Sequence, residues 1–220
     1  MKPPPSRRHL LAALALWSGA GPLAPWRALR RALATPGEDN GGGADEGLAK
    51  AGALLIATPD LPDPRFAQSV ILMVRHDESG ALGLIINHPL GKRPIAGLLA
   101  AAGEPDAGVT GEVMLYVGGP VEPELGFVLH TPEYHRPATL AIDGHVSMTA
   151  SLDVLRDIGR GQGPAKSLVI FGYSGWGPGQ LESEMMRGSW YTSEETPDLV
   201  FDLDRAKVWE TALRRRSIPL

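Results

Sequence analysis

Gly172-Tyr173-Ser174-Gly175-Trp176 is the stretch of this 220-residue chain whose residue types come nearest to covalent chemistry. An apolar run, Ser167–Tyr173, leads into it and a helix-forming segment follows, so the serine invites comparison with the G-x-S-x-G nucleophile elbow. The last position breaks the pattern, because Trp176 stands where the elbow needs glycine and the second glycine falls directly after the serine. A base could come from His130 or His145, but nothing in their spacing brings either to Ser174. Gly175, Gly177 and Gly179, with Pro178, then run into Gln180-Leu181-Glu182, a strand-to-helix junction whose backbone N–H groups could cradle an anion. The lysine and hydroxyl of a P-loop are missing, G-x-G-x-x-G does not fit, and Glu182 and Glu184 bring the wrong charge for phosphate. Packing beneath Trp176 is the preferred reading of this loop.

The six histidines are His9, His76, His88, His130, His135 and His145, and no two sit at zincin spacing. No metal site and no cofactor is expected. With no cysteine in the chain, disulfides, thiolate metal sites and Cys nucleophiles are excluded. His76-Asp77-Glu78 reads as a solvated hairpin tip. His130 closes an apolar strand and reads as a satisfied, half-buried histidine that could alternatively bind a ligand. Tyr173, Trp176, Trp190 and Tyr191 could wall a pocket, with core packing as the default.

These residues need elements to position them. Ala53–Ala57 is a short apolar run ended by Thr58-Pro59 and reads as a buried strand; Pro59, Pro62 and Pro64 exclude regular structure in the loop that follows. Ser69–His76 and Leu82–Asn87 form a hairpin about the polar connection 77–81. Ile95–Ala102 is a helix stopped by Gly103 and Pro105. Glu112–Val117 and Gly126–His130 are strands, and Leu140–Ile142 with Val146–Met148 make a second hairpin about Asp143-Gly144. Ser151–Ile158 is a helix with Ser151 as N-cap and Asp153 in its first turn, where the dipole favours an acid. Ser167–Tyr173 is a strand, and Pro178–Arg187 and Arg205–Arg216 are helices. Strands and helices intermixed with hairpins indicate an α+β or mixed α/β fold.

Residues 1–37 carry six basic residues and no acid, so a formal charge of −4 for the whole chain becomes −10 for residues 38–220. Residues 1–34 read as an export leader: a basic start, an apolar run Leu10–Trp17, and Ala32-Leu33-Ala34 as a cleavage signal. Leu10–Ala24 is too short to span a membrane and is interrupted by Gly19, Gly21 and Pro22. Ser6-Arg7-Arg8-His9-Leu10-Leu11 resembles the twin-arginine motif, with Leu10 for the usual Phe and no Lys. Export to the periplasm by that route is expected, with a cytoplasmic protein as the alternative. Residues 35–47 are a flexible linker, and residues 48–220 form one domain. Direct nucleic-acid binding is disfavoured, since the acidic domain has only one dense basic run, Arg214-Arg215-Arg216.

Four strings carry a family resemblance: LLIATPDLPDPRFAQSVILMVRH at Leu54–His76, GALGLIINHPL at Gly80–Leu90, VGGPVEPELGFVLHT at Val117–Thr131 and GYSGWGPGQLESE at Gly172–Glu184. They resemble the AlgH/YqgE family over about residues 50–216. The resemblance implies a single compact α/β domain with a coiled, partly split β-sheet and flanking helices. It implies no settled reaction and carries over no catalytic residues; members are labelled transcriptional regulators yet resemble no DNA-binding fold. Asn87, Gly118, Gly119, His130, Ser174, Trp176, Gln180 and Glu182 lie in these strings and are the candidate ligand-binding residues. The expected function is a non-enzymatic regulatory module that binds a small molecule or a protein through the region of Gly118–Pro120 and Gly172–Glu182. The alternatives are a serine hydrolase using Ser174 and a DNA-linked transcriptional regulator.

Overall fold

Alternation along the apolar strands decides how the sheet is covered. In β1 (Ala53–Ala57), Leu54 and Ile56 face one core while Leu55 and Ala57 face another. The same division runs through β2 (Val70–Asp77), where Val70 and Leu72 oppose Ile71 and Met73, and β3 (Gly80–Ile85), where Leu82 and Leu84 oppose Ala81 and Ile85. Since successive side chains of a strand point to opposite faces, runs apolar at every position need cover on both sides. The computed structural model describes residues 50–105 and 108–217. The leader at 1–34 and the linker at 35–47 lie outside the described residues.

The remaining strands are β4 (Pro89–Pro94), β5 (Glu112–Val117), β6 (Val121–His130), β7 (Thr139–Ala141), β8 (Ser147–Thr149), β9 (Ser167–Trp176) and β10 (Trp190–Glu194). They make one curled sheet in the order β10-β1-β2-β3-β9-β6-β8-β7, with β5 beside β9 and β4 beyond β5. Every pairing is antiparallel except β5 with β9. The curl brings opposite ends of this order together: His145, in the β7–β8 turn, pairs with Glu195, the residue after β10.

Among the described residues, four α-helices and a π-turn flank the sheet: α1 (Ile95–Ala101), α2 (Leu152–Gly159), α3 (Gln180–Met186), α4 (Arg205–Arg214) and the turn Asp198–Asp202. The inner core joins Leu54, Leu72, Leu84, Phe127, Met148 and Ile170 and is closed by Leu199 and Val200 of the π-turn and Val208 and Ala212 of α4. On the outer face α1 and α2 cover Val128, Val169 and Phe171, and Leu181 of α3 covers Ile71 and Met73 together with Trp176 and Trp190. Each fully buried Leu or Ile contributes roughly 1.5–3 kcal/mol, so these three clusters dominate stability. The Ser151 cap agrees with the sequence reading, its hydroxyl accepting from Asp153 N–H at 3.2 Å; Asp204, which the sequence reading does not name, caps α4 by accepting from Ala206 N–H at 3.1 Å. Trp209 of α4 donates its indole N–H to the Ala57 carbonyl at 2.8 Å, and the Arg205 guanidinium donates to the Val200 and Leu203 carbonyls.

The fold is α+β, a single domain with a curled sheet and flanking helices, as the sequence indicates. Several elements differ from the sequence reading: β6 begins at Val121 and not Gly126, β9 runs to Trp176 and not Tyr173, and further elements are absent from that reading. β4, with the sequence PLGKRP, has prolines at both ends and no apolar alternation; it exists because β5 supplies its partner. β10 was not evident for the same reason, its hydrogen bonds coming from β1. The proline-rich loop after β1 holds one short 3-10 turn, Pro64–Phe66, with Pro64 opening it and the Asp63 carboxylate capping it.

Candidate functional site

β9 is the axis on which the sequence motifs meet. Along Val169–Phe171 one edge of β9 pairs with Leu115–Val117 of β5, and along Ser174–Trp176 that role passes to Ala81–Gly83 of β3. Gly172, at φ +74°, sits where the partner changes, and the Gly118-Gly119 connection is wedged against it. A Cβ on Gly118 would stand 2.3 Å from the Gly172 carbonyl oxygen, and one on Gly119 would stand 2.3 Å from that of Tyr173. Only glycine lets two backbones approach this closely. The Gly118 N–H donates to the Phe171 carbonyl at 2.8 Å, and the Gly118 carbonyl accepts from Ile85 N–H at 2.9 Å and from the Ser174 hydroxyl at 3.1 Å. The crossing therefore splits the sheet and re-fastens it through one peptide.

This geometry answers the nucleophile question. Ser174 has 0% exposure, and its hydroxyl is spent on the Gly118 carbonyl. β9 runs on to Trp176, so the serine lies within a strand and not on a strand-to-helix turn. His130 is paired with Ser167, seven residues back along β9, which places it roughly 20 Å from Ser174. His145 is engaged with Glu195.

His130 is itself fully buried. Its Nδ1–H donates to the Thr131 carbonyl at 2.8 Å, and Nε2 accepts from the Thr149 hydroxyl at 2.8 Å. The Thr139 hydroxyl donates in turn to Thr149 Oγ1 at 2.6 Å, and Arg136 N–H donates to Thr139 Oγ1 at 2.9 Å. Every donor in the chain has one acceptor, and burial pushes the His130 imidazole below its ordinary range, so it is neutral. Edge-on against it, at 5.2 Å between centroids, lies Tyr134, whose hydroxyl donates to the buried Asp157. Burial and that carboxylate raise the Tyr134 phenol to about 12. Asn87 is similarly committed: Oδ1 accepts from Val70 N–H and Nδ2 donates to the Gln68 carbonyl, both at 2.8 Å, holding Gln68 at φ +54°.

The glycine loop before α3 is tied down by side chains. Gly177 N–H donates to Gln180 Oε1 at 3.1 Å, and Gln180 Nε2 donates to Glu184 Oε1 at 3.0 Å. Glu184 Oε2 accepts both indole N–H groups, from Trp176 at 2.9 Å and Trp190 at 2.8 Å. The two indoles pack edge to face, with Phe66 against Trp190. They fill the core under α3. Glu184 is thus a hub that the motif reading weighed only as local charge; the signal was its i,i+4 spacing from Gln180. Glu182 takes a different partner, accepting from His76 Nε2 at 2.9 Å. Its own main-chain N–H and His76 hold its carboxyl below the usual range. His76 is therefore no solvated hairpin tip, because the hairpin leans onto α3 and its side chain is 8% exposed.

Of the eight candidate residues, Gly118, Gly119 and Ser174 meet at the crossing, and Trp176 and Gln180 meet through Glu184. Glu182, Asn87 and His130 each serve a separate contact. The AlgH-like family model (DUF179) matches residues 54–220. The chain belongs to the AlgH-like family. A UPF0301 protein of Cereibacter sphaeroides is 44% identical over 168 residues, covering 76% of this chain and 91% of that protein. A UPF0301 protein of Methylococcus capsulatus is 43% identical over 169 residues, covering 77% and 92%. The solution structure of the AlgH protein from Pseudomonas aeruginosa, a UPF0301 member, has a TM-score of 0.63 at 38% identity over 80% of this chain and 92% of that one. A Corynebacterium diphtheriae protein, DIP2367, shares the fold at a TM-score of 0.60 and 21% identity, covering 79% of this chain and 90% of that one. The AlgH-like family to which the chain belongs has no assigned activity.

Proposed function

We propose that this AlgH-like domain is a non-enzymatic regulatory module that binds a small molecule or a protein. One observation carries the reading: the buried Ser174 hydroxyl on β9 and the His130 ring at the end of β6 are each consumed by internal hydrogen bonds, and the β6–β9 register sets His130 beside Ser167, seven residues from Ser174. A nucleophile needs a base within hydrogen-bond reach, and this one has a carbonyl. Gln180, exposed, and Glu182, partly exposed, are the candidate residues proposed to touch the partner, while the others hold the backbone beneath them. The test is a fluorophosphonate probe on the folded protein, read by intact mass. No adduct is expected at Ser174; a stoichiometric Ser174 adduct would replace this reading with a hydrolase.

The charge of −10 over residues 38–220 favours a partner other than nucleic acid. Gel shifts at low salt, where charge-driven binding is strongest, should show no complex. Residues 1–53 lie ahead of the family match, and their basic, apolar and small-x-small order supports twin-arginine export to the periplasm. Amino-terminal sequencing from the native host should find a mature chain beginning near Thr35, and an intact Met1 in the cytosol would refute export.

A further inference from the structure

The curl of the sheet creates a cluster that lies outside all four sequence motifs. One oxygen from each of Asp143 and Glu195 and one ring nitrogen of His145 lie within 4.8 Å of one another. Asp143 and His145 belong to the β7–β8 turn and Glu195 directly follows β10, so the three join opposite ends of the strand order. Glu195 is the unusual member. Its side chain is 3% exposed, Oε2 accepts from His145 Nδ1 at 3.1 Å, and Oε1 is buried with no hydrogen-bond partner among the described residues. A buried carboxylate oxygen left bare is costly, and native structures avoid it unless something else satisfies it.

The surroundings add negative charge. Asp143 and Asp198 both act on Glu195, and Arg215, the neighbouring cation, is already paired with Asp198 at 2.9 Å. Asp143 is set up to contribute: Oδ1 accepts from the N–H groups of His145 and Val146 at 2.7 and 2.8 Å, fixing the turn. Oδ2 lies against Gly52, where a Cβ would stand 2.7 Å from it, so only glycine leaves it uncrowded. The imidazole of His145 is 61% exposed, which gives an ion an entry path and room for water ligands.

We propose that Asp143, His145 and Glu195 bind a divalent transition-metal ion of the zinc class, which clasps the β7–β8 turn to β10 and closes the curl of the sheet. The donor set selects the class. Imidazole nitrogen with carboxylate oxygens suits Zn²⁺, whereas Mg²⁺ and Ca²⁺ prefer oxygen alone. Three protein ligands leave coordination positions for water or for a group from a partner.

The experiment is a calorimetric titration of the untagged, chelator-treated full chain with ZnCl₂ at pH 7. Saturable binding of one ion per chain is expected. His145→Ala, Glu195→Gln and Asp143→Asn should each weaken it at least about tenfold, the scale on which a zinc site responds to losing even an outer partner. Asp143→Asn keeps the oxygen that caps the turn, and His145 is exposed, so both variants retain the fold and keep the test open if Glu195→Gln does not. His135→Ala should titrate like the parent, and excess Mg²⁺ should not displace zinc. Unchanged affinity in His145→Ala or Asp143→Asn, the absence of saturable binding, or displacement by Mg²⁺ would overturn the proposal.

Discussion

At the β9 crossing, the Gly118 N–H and carbonyl and the Ser174 hydroxyl all have partners, and the backbones touch. At the β7–β8 turn beside β10, a carboxylate oxygen is buried without one. The first region holds the densest sequence motifs and the second holds none of them. Reactive-looking residue types at the crossing are there because two strands need glycines to pass and a small hydroxyl to tie them. Unspent chemistry lies where the fold, not the local sequence, brings residues together.

The largest expected effect breaks the crossing. Gly118→Val drives a side chain into the Gly172 carbonyl and should cost about 3 kcal/mol or more in urea unfolding. Gly144→Ala, in the other region, meets nothing within 4 Å and should stay within about 0.5 kcal/mol of the parent. Glu184→Ala comes next. It strands the Trp176 and Trp190 N–H groups and should cost about 2 kcal/mol, with a change in near-ultraviolet circular dichroism from the disturbed indoles. Ser174→Ala should cost only about 1 kcal/mol, because the Gly118 carbonyl keeps the Ile85 N–H.

The last effect is a pH dependence and belongs to His130. Its folded pKa is lowered from 6.5, so the unfolded chain takes up a proton that the fold resists. This contribution to stability is fully present above pH 6.5 and is lost as pH falls below it toward the folded value. His130→Gln should flatten the acid limb of a stability-against-pH curve and leave the plateau above pH 7 without that dependence. An unchanged acid slope would mean that the ring is not buried neutral.

Much of the domain was legible in the sequence because its signals are local. Apolar runs announced β1, β2, β3, β5 and β9, Asp143-Gly144 announced the second hairpin, and Ser151 with Asp153 announced α2. β4 and β10 were not legible, since a strand of five or six residues without a clear apolar alternation is defined by the partner that hydrogen-bonds it. The candidate site divides in the same way. Membership of Gly118, Gly119, Ser174 and Gln180 in dense motifs was visible, but not that the Ser174 hydroxyl points to a carbonyl 56 residues away. His145 and Glu195 are 50 residues apart and belong to opposite ends of the sheet, so no spacing rule could join them.

Thermal unfolding of the parent, Ser174→Ala and Glu195→Gln with and without zinc compares the two regions in one measurement. Ser174→Ala should melt lower than the parent yet keep the full zinc-dependent rise in Tm, while Glu195→Gln should lose that rise. A rise retained in Glu195→Gln and lost in Ser174→Ala would place the chemistry at the crossing and contradict this account.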